Sequence, residues 1–182
     1  MLATSRRAFI ALAFLAAFPA LAADAPTDTL DLKTKYGDVI IKLLPDVAPK
    51  HVKQIQALVA RHFYDGLKFH RVIPGFMAQT GDPNGDGSGG SDLPNVALEA
   101  SDKPFKRGTV GMARAQDPDS ANSQFFICTG DSAFLNGNYT VFGEVVKGMD
   151  AIDKLKAGTQ DNNGAVEHPD KIISLRFAPD AN

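Results

Sequence analysis

The stretch FHRVIPGFMAQTGDP, residues 69–83, decides how the rest of the chain is read. Bulky apolar residues on either side of Pro74-Gly75 ask for two short strands broken at that pair, since proline presets its own φ and glycine supplies the turn. Among those apolar residues stand Arg71 and Gln79. An arginine keeps its charge at any ordinary pH and presents its donors in a rigid plane. Arg71 therefore either pairs with an acid at a sheet edge or acts on a ligand. Met77 and Gln79 lie two apart on a strand and face the same side.

The segments around this stretch are also brief and strand-like. Leu30 and Leu32 alternate with charged residues, Tyr36-Gly37-Asp38 reads as a turn, and Val39, Ile41 and Leu43 alternate again, which is a hairpin pattern. Pro49 suits the first turn of a helix running to about Phe63, with Val52, Ile55, Leu58, Val59 and His62 at helical spacing. His51 and His62 are expected at the surface or the helix edge. Further strands are expected at Lys68–Ile73, Phe76–Gly81, Val96–Leu98, Thr109–Ala113, Gln124–Thr129, Val141–Val145 and Lys171–Phe177, and a short helix near Met149–Leu155. Many short strands with glycine- and proline-rich turns and two helices indicate a mainly β protein, either a closed barrel or a sandwich.

The chain has 182 residues, 44% hydrophobic and 22% charged, the profile of one ordinary globular domain. Its first 22 residues read as a cleavable export signal: Arg6-Arg7, an apolar run from Ala8 to Phe18, then Ala20-Leu21-Ala22 as a small-residue cleavage site. The run is too short and alanine-rich for a membrane span, and the basic pair suits either the general secretory or the twin-arginine route. Residues 23–28 then form a polar leader, 29–178 the domain and 179–182 a tail; the periplasm is the expected location. A formal net charge of −2 does not suit a nucleic-acid binder. Cys128 is the single cysteine, so no internal disulfide can form, and within SQFFIC it reads as a buried, inert thiol.

Most catalytic patterns fail. Asp82, Asn84, Asp86 and Gly87 occupy positions 1, 3, 5 and 6 of a calcium loop, but position 12 is Leu93 where a bidentate glutamate is needed, leaving a mobile glycine-rich loop. His51, His62, His70 and His168 have no zinc spacing. Ser88 lacks the setting of a nucleophile elbow, and no phosphate loop or dinucleotide fingerprint occurs.

What remains is residues 69–83 together with GTVGMARA (108–115) and SANSQFFICTGDSAFLNGNYTVFGEV (120–145). In order and spacing these resemble the cyclophilin-type peptidyl-prolyl cis-trans isomerases, over about Asp28 to Phe177, and most of all the exported bacterial members. The resemblance implies a closed eight-stranded antiparallel β-barrel capped by two helices, acting on proline-containing unfolded or partly folded polypeptides. It implies Arg71 and Gln79 as catalytic residues, with Phe76, Met77, Phe126 and Leu135 as the proline pocket. Ala113, Arg114 and Gln124 would line the groove for the preceding residue and its backbone, Phe134 and Tyr139 would also bind substrate, and His70 would pack or hydrogen-bond beside Arg71.

The chemistry agrees with those residue types. A prolyl amide rotates over a barrier of ~18–20 kcal/mol because its nitrogen lone pair is delocalised. Twisting localises the pair on nitrogen, so a fixed donor there favours the transition state over both planar isomers. Neither cofactor, metal nor covalent intermediate is expected, and a monomer is. The alternative is a proline-peptide binding or chaperone module whose isomerase activity is incidental. Phe134 stands where many eukaryotic members carry tryptophan, Tyr139 where they carry histidine and Arg114 where they carry asparagine. Loss of the indole N–H implies weak binding of cyclosporin.

Overall fold

The computed structural model describes residues 27–179; the expected signal peptide, most of the leader and the last three residues lie outside them. The chain opens with the hairpin that the alternating leucines, valine and isoleucine predict: β1 (Thr29–Thr34) and β2 (Gly37–Leu43) pair antiparallel from Thr34–Gly37 to Thr29–Lys42. The turn is Lys35-Tyr36, one residue earlier than expected, with the Thr34 hydroxyl accepting from the Tyr36 N–H at 3.1 Å. Helix α1 (Pro49–Ala60) follows and buries Val52, Ile55, Leu58 and Val59. It stops short of Phe63, since His62 takes a left-handed φ of 57° and the Phe63 N–H returns to the Leu58 carbonyl.

His51 is a correction: it is fully buried, not at an edge. Its Nδ1 donates to Glu99 at 2.6 Å, and Glu99 also accepts the N–H groups of Lys50 and His51. A carboxylate 48 residues away thus caps a helix whose own Ncap, Ala48, has no side-chain acceptor.

Strands β3 (Arg71–Ile73) and β4 (Met77–Thr80) flank the Pro74-Gly75 turn. Phe76 N–H closes that turn on Ile73 O at 3.0 Å, and Gly75 takes φ 73°, the sign a type II turn requires at its third residue. Strands β5 (Thr109–Met112), β6 (Phe125–Cys128) and β7 (Val141–Lys147), helix α2 (Met149–Asp153) and strand β8 (Ser174–Phe177) complete the domain. The expected strand at Val96–Leu98 is reduced to one bridge, Val96 to Ala121.

All eight strands form one antiparallel sheet in the order β3-β4-β6-β5-β7-β2-β1-β8. The sheet is mainly β and curled, but its ladder is open, which corrects the expected closed barrel: β3 and β8 do not pair. Irregular chain stitches the gap instead, through Phe69 N–H to Asp170 O, Ile172 N–H to Leu67 O and Val72 N–H to Gly164 O. The reason is local. Asn163, Gly164 and His168 all take positive φ and Pro169 has no N–H, so the run that should pair with β3 cannot stay extended.

Side chains of β4 and β6 alternate between two clusters. Ala78, Phe125 and Ile127 belong to the main core with both helices. Met77, Phe126 and Cys128 face the other way, joining Phe105, Leu135 and Val141 in a smaller cluster.

Candidate active site

Strand register assembles the outer face. Arg71 on β3 pairs with Gln79 on β4, Gln79 with Phe126 on β6, and Phe126 with Gly111 on β5. One row across four strands therefore presents a cation, an amide, a ring and then no side chain at all. The missing side chain matters: a Cβ on Gly111 would strike the rings of Phe105 and Phe126, which stack there with centroids 5.7 Å apart.

Beside this row lies a cavity of about 120 Å³. Phe126, Met77 and Leu135, all buried, line it with half-buried Phe76; Arg71, Gln79, Ala113, Arg114 and Tyr139 complete it. A second, more polar cavity of about 200 Å³ shares Gln79, Ala113 and Arg114 and adds Gln124. One expected groove residue, Phe134, lines neither cavity: it is 69% exposed and lies against Phe76 with centroids 5.3 Å apart. His70, expected only beside Arg71, is buried and lines neither; burial lowers its pKa against the pull of Asp82 and keeps the imidazole neutral.

Arg71 has no carboxylate partner among the described residues, so it is not an edge ion pair. Its Nε donates to the Asn163 carbonyl at 2.8 Å, its Nη2 to Asn163 Oδ1 at 3.0 Å and its Nη1 to Gln79 Oε1 at 3.4 Å. Asn163 turns both oxygens toward one guanidinium from a left-handed backbone, φ 56°, a conformation asparagine tolerates better than most residues. Burial lowers the arginine's pKa, but a guanidinium stays protonated in proteins. On its other side the relay runs through amides: Gln79 Nε2 donates to Gln124 Oε1 at 2.9 Å, and Gln124 Nε2 to the carbonyls of Gly87 and Gly89.

Those two carbonyls belong to the glycine-rich loop, which is organised about one buried side chain. Asp82 accepts the N–H groups of Asn84, Asp86 and Gly87. Burial pushes its carboxyl up, but these donors outweigh burial and hold it below the ordinary carboxylate range. Among the described residues no group of three or more His, Cys, Asp or Glu could hold a metal ion. Cys128 is fully buried, and burial pushes its thiol up to about 11.

Sequence reasoning missed Asn163, Gly111 and Phe105. Asn163-Gly164 is legible as a turn, but its hold on a residue 92 positions away is not.

The family model for cyclophilin type peptidyl-prolyl cis-trans isomerases matches residues 29–177. The chain is a cyclophilin. A probable peptidyl-prolyl cis-trans isomerase of Brucella suis is 55% identical to this cyclophilin over 189 residues, covering 98% of the chain and 96% of the relative. Peptidyl-prolyl cis-trans isomerase A of Dickeya dadantii is 42% identical, covering 88% and 87%. Among solved structures, a cyclophilin-type isomerase of Cryptosporidium parvum, crystallised in the presence of the dipeptide Ala-Pro, superimposes with TM-score 0.76 at 29% identity, covering 84% of this cyclophilin and 99% of that chain. A cyclophilin of Hirschia baltica gives 0.74 at 29%, covering 84% and 76%.

Proposed function

We propose that this cyclophilin accelerates X-Pro rotation in exported polypeptides folding in the periplasm, with Arg71 donating to the prolyl nitrogen as the amide twists. The observation that carries this reading is the guanidinium: it is fastened on one side by Asn163 and on the other by Gln79, has no carboxylate partner among the described residues, and stands at a cavity sized for one small ring. Rotation makes and breaks no covalent bond, so the protein supplies only fixed charge, orientation and a dry wall.

Four of the five N–H groups of Arg71 have acceptors, one of them only the Met77 sulfur at 3.9 Å, and the free N–H and this weakly held one serve the substrate. A charge-assisted hydrogen bond contributes about 1.5–3 kcal/mol net, roughly ten- to a hundredfold in rate. The cavity supplies the rest, gripping the ring on Phe126 and Leu135 while the carbonyl side swings. Gln79 is committed at both ends of its amide, to Arg71 and to Gln124, so its first contribution is to hold the guanidinium in plane.

The test is proline-limited refolding with wild type and Arg71→Ala. The expected result is a loss of turnover of about tenfold or more with near-normal peptide affinity; equal turnover would falsify the role. Export is tested by N-terminal sequencing of protein recovered from the periplasmic fraction, with Ala23 expected as the first residue.

A further inference from the structure

The groove carries one sign of charge in a chain of the opposite sign. The formal net charge is −2, yet the residues lining the two cavities include Arg71 and Arg114 and no carboxylate. Arg114 stands on the divide and lines both. Its guanidinium lies 4.4 Å over the Tyr139 ring. Nε and Nη2 donate to the Asn138 carbonyl, and Nη1 to the carbonyls of Ala115 and Gln116. Neutral acceptors fix the group in place and leave its charge uncompensated.

The carboxylates near Arg114 in the chain hydrogen-bond elsewhere: Asp117 accepts the Asp119 N–H and Asp119 the Leu98 N–H, while Asp86, in the glycine-rich loop, accepts from Ser88. None of the ion pairs among the described residues includes Arg114. The amide donors of the larger cavity are also committed, Gln124 to the carbonyls of Gly87 and Gly89 and Asn122 to Leu93 O and Asn95 Oδ1. The guanidinium is the remaining source of polar attraction there.

In an extended peptide, side chains two apart lie on one face, about 7 Å from each other. A proline ring in the smaller cavity therefore directs the side chain two residues before it toward the larger one. We propose that Arg114 selects substrates carrying Asp or Glu two residues before the proline. This rests on the reading that the smaller cavity holds the proline ring. The contact forms as the peptide binds, so it is read in kcat/KM, the parameter that compares free enzyme and substrate with the transition state.

The experiment compares kcat/KM for three tetrapeptides, Xaa-Ala-Pro-Phe with Xaa as Glu, Gln or Lys, with wild type and Arg114→Gln. Glu is expected to exceed Gln by about fivefold in kcat/KM, with Lys below both. The advantage should shrink in about 0.5 M salt and vanish in Arg114→Gln. Equal kcat/KM for the three peptides, on protein that accelerates the Gln peptide, overturns the inference and spares the isomerase reading. An advantage of the same size in Arg114→Gln, or one insensitive to salt, overturns it too. Acceleration of none of them by wild type overturns the isomerase reading itself. Should Arg114→Gln fail to fold, the salt dependence in wild type decides alone.

Discussion

The two faces of β4 and β6 are built from alternating residues of the same eight positions, and they do opposite work. On the inner face Ala78, Phe125 and Ile127 meet Tyr64, Phe142 and the helices, and every ring finds a partner within the protein. On the outer face Met77, Gln79 and Phe126 are backed by Phe105, and Phe126 meets Tyr139 edge-on, but the packing leaves a cavity between them. Folding and binding are thus the same hydrophobic effect, completed by the chain on one side and left for a substrate on the other.

The largest break in that comparison comes from truncating neighbouring rings. Phe125→Ala should cost about 3–5 kcal/mol of stability in denaturant unfolding. Phe126→Ala should cost less stability but lose peptide affinity and turnover by about tenfold or more, as the proposed role of the ring in the proline cavity requires. Equal stability losses with equal residual turnover would erase the distinction between the faces.

A smaller effect is expected at Asn163. Glycine keeps the left-handed backbone and the carbonyl acceptor while deleting Oδ1, so Asn163→Gly should lower kcat by about three- to tenfold with little change in melting temperature. Asn163→Asp should instead give a turnover that recovers as pH falls through the carboxyl's titration, a profile wild type has no group to produce.

Acidity should separate the faces further. His51 and His70 have folded pKa values lowered by burial, against about 6.5 in the unfolded chain. The unfolded state therefore binds protons first as pH falls, and stability that is full above about pH 6.5 is lost progressively below it. Melting temperature should decline from pH 7 to 5, while turnover of the still-folded protein, which the proposed mechanism routes through Arg71, should hold. The smallest effect concerns cyclosporin. Titration calorimetry should show weak binding by wild type and tighter binding by Phe134→Trp, which restores an indole donor on an exposed ring.

Much of this was legible in the sequence because it is local. Alternation in residues 30–43 marks a hairpin, Pro49 a helix start, and the two-residue spacing of Met77 and Gln79 a shared face. The open seam was not legible, since it depends on left-handed residues at 163, 164 and 168 interrupting one particular pairing. His51 was misplaced for a similar reason. Nothing near it in sequence offers a burial partner, and Glu99 reaches it only through the fold. Phe134 was expected in the groove, but its ring packs on Phe76 instead, a contact nothing local in the sequence announces. Arg71, by contrast, stood out because no core needs a guanidinium.

The stitching of the sheet's gap by residues 164–172 sets an order on maturation. The same late segment supplies Asn163, so a newly made chain acquires an anchored arginine only when nearly its whole length has been delivered. A molecule lacking this segment should accordingly be inert, and catalytic competence during refolding should rise in step with docking of the C-terminal segment rather than with formation of the β1–β2 hairpin; stopped-flow activity measured alongside hydrogen exchange at Val72 would show whether the two coincide.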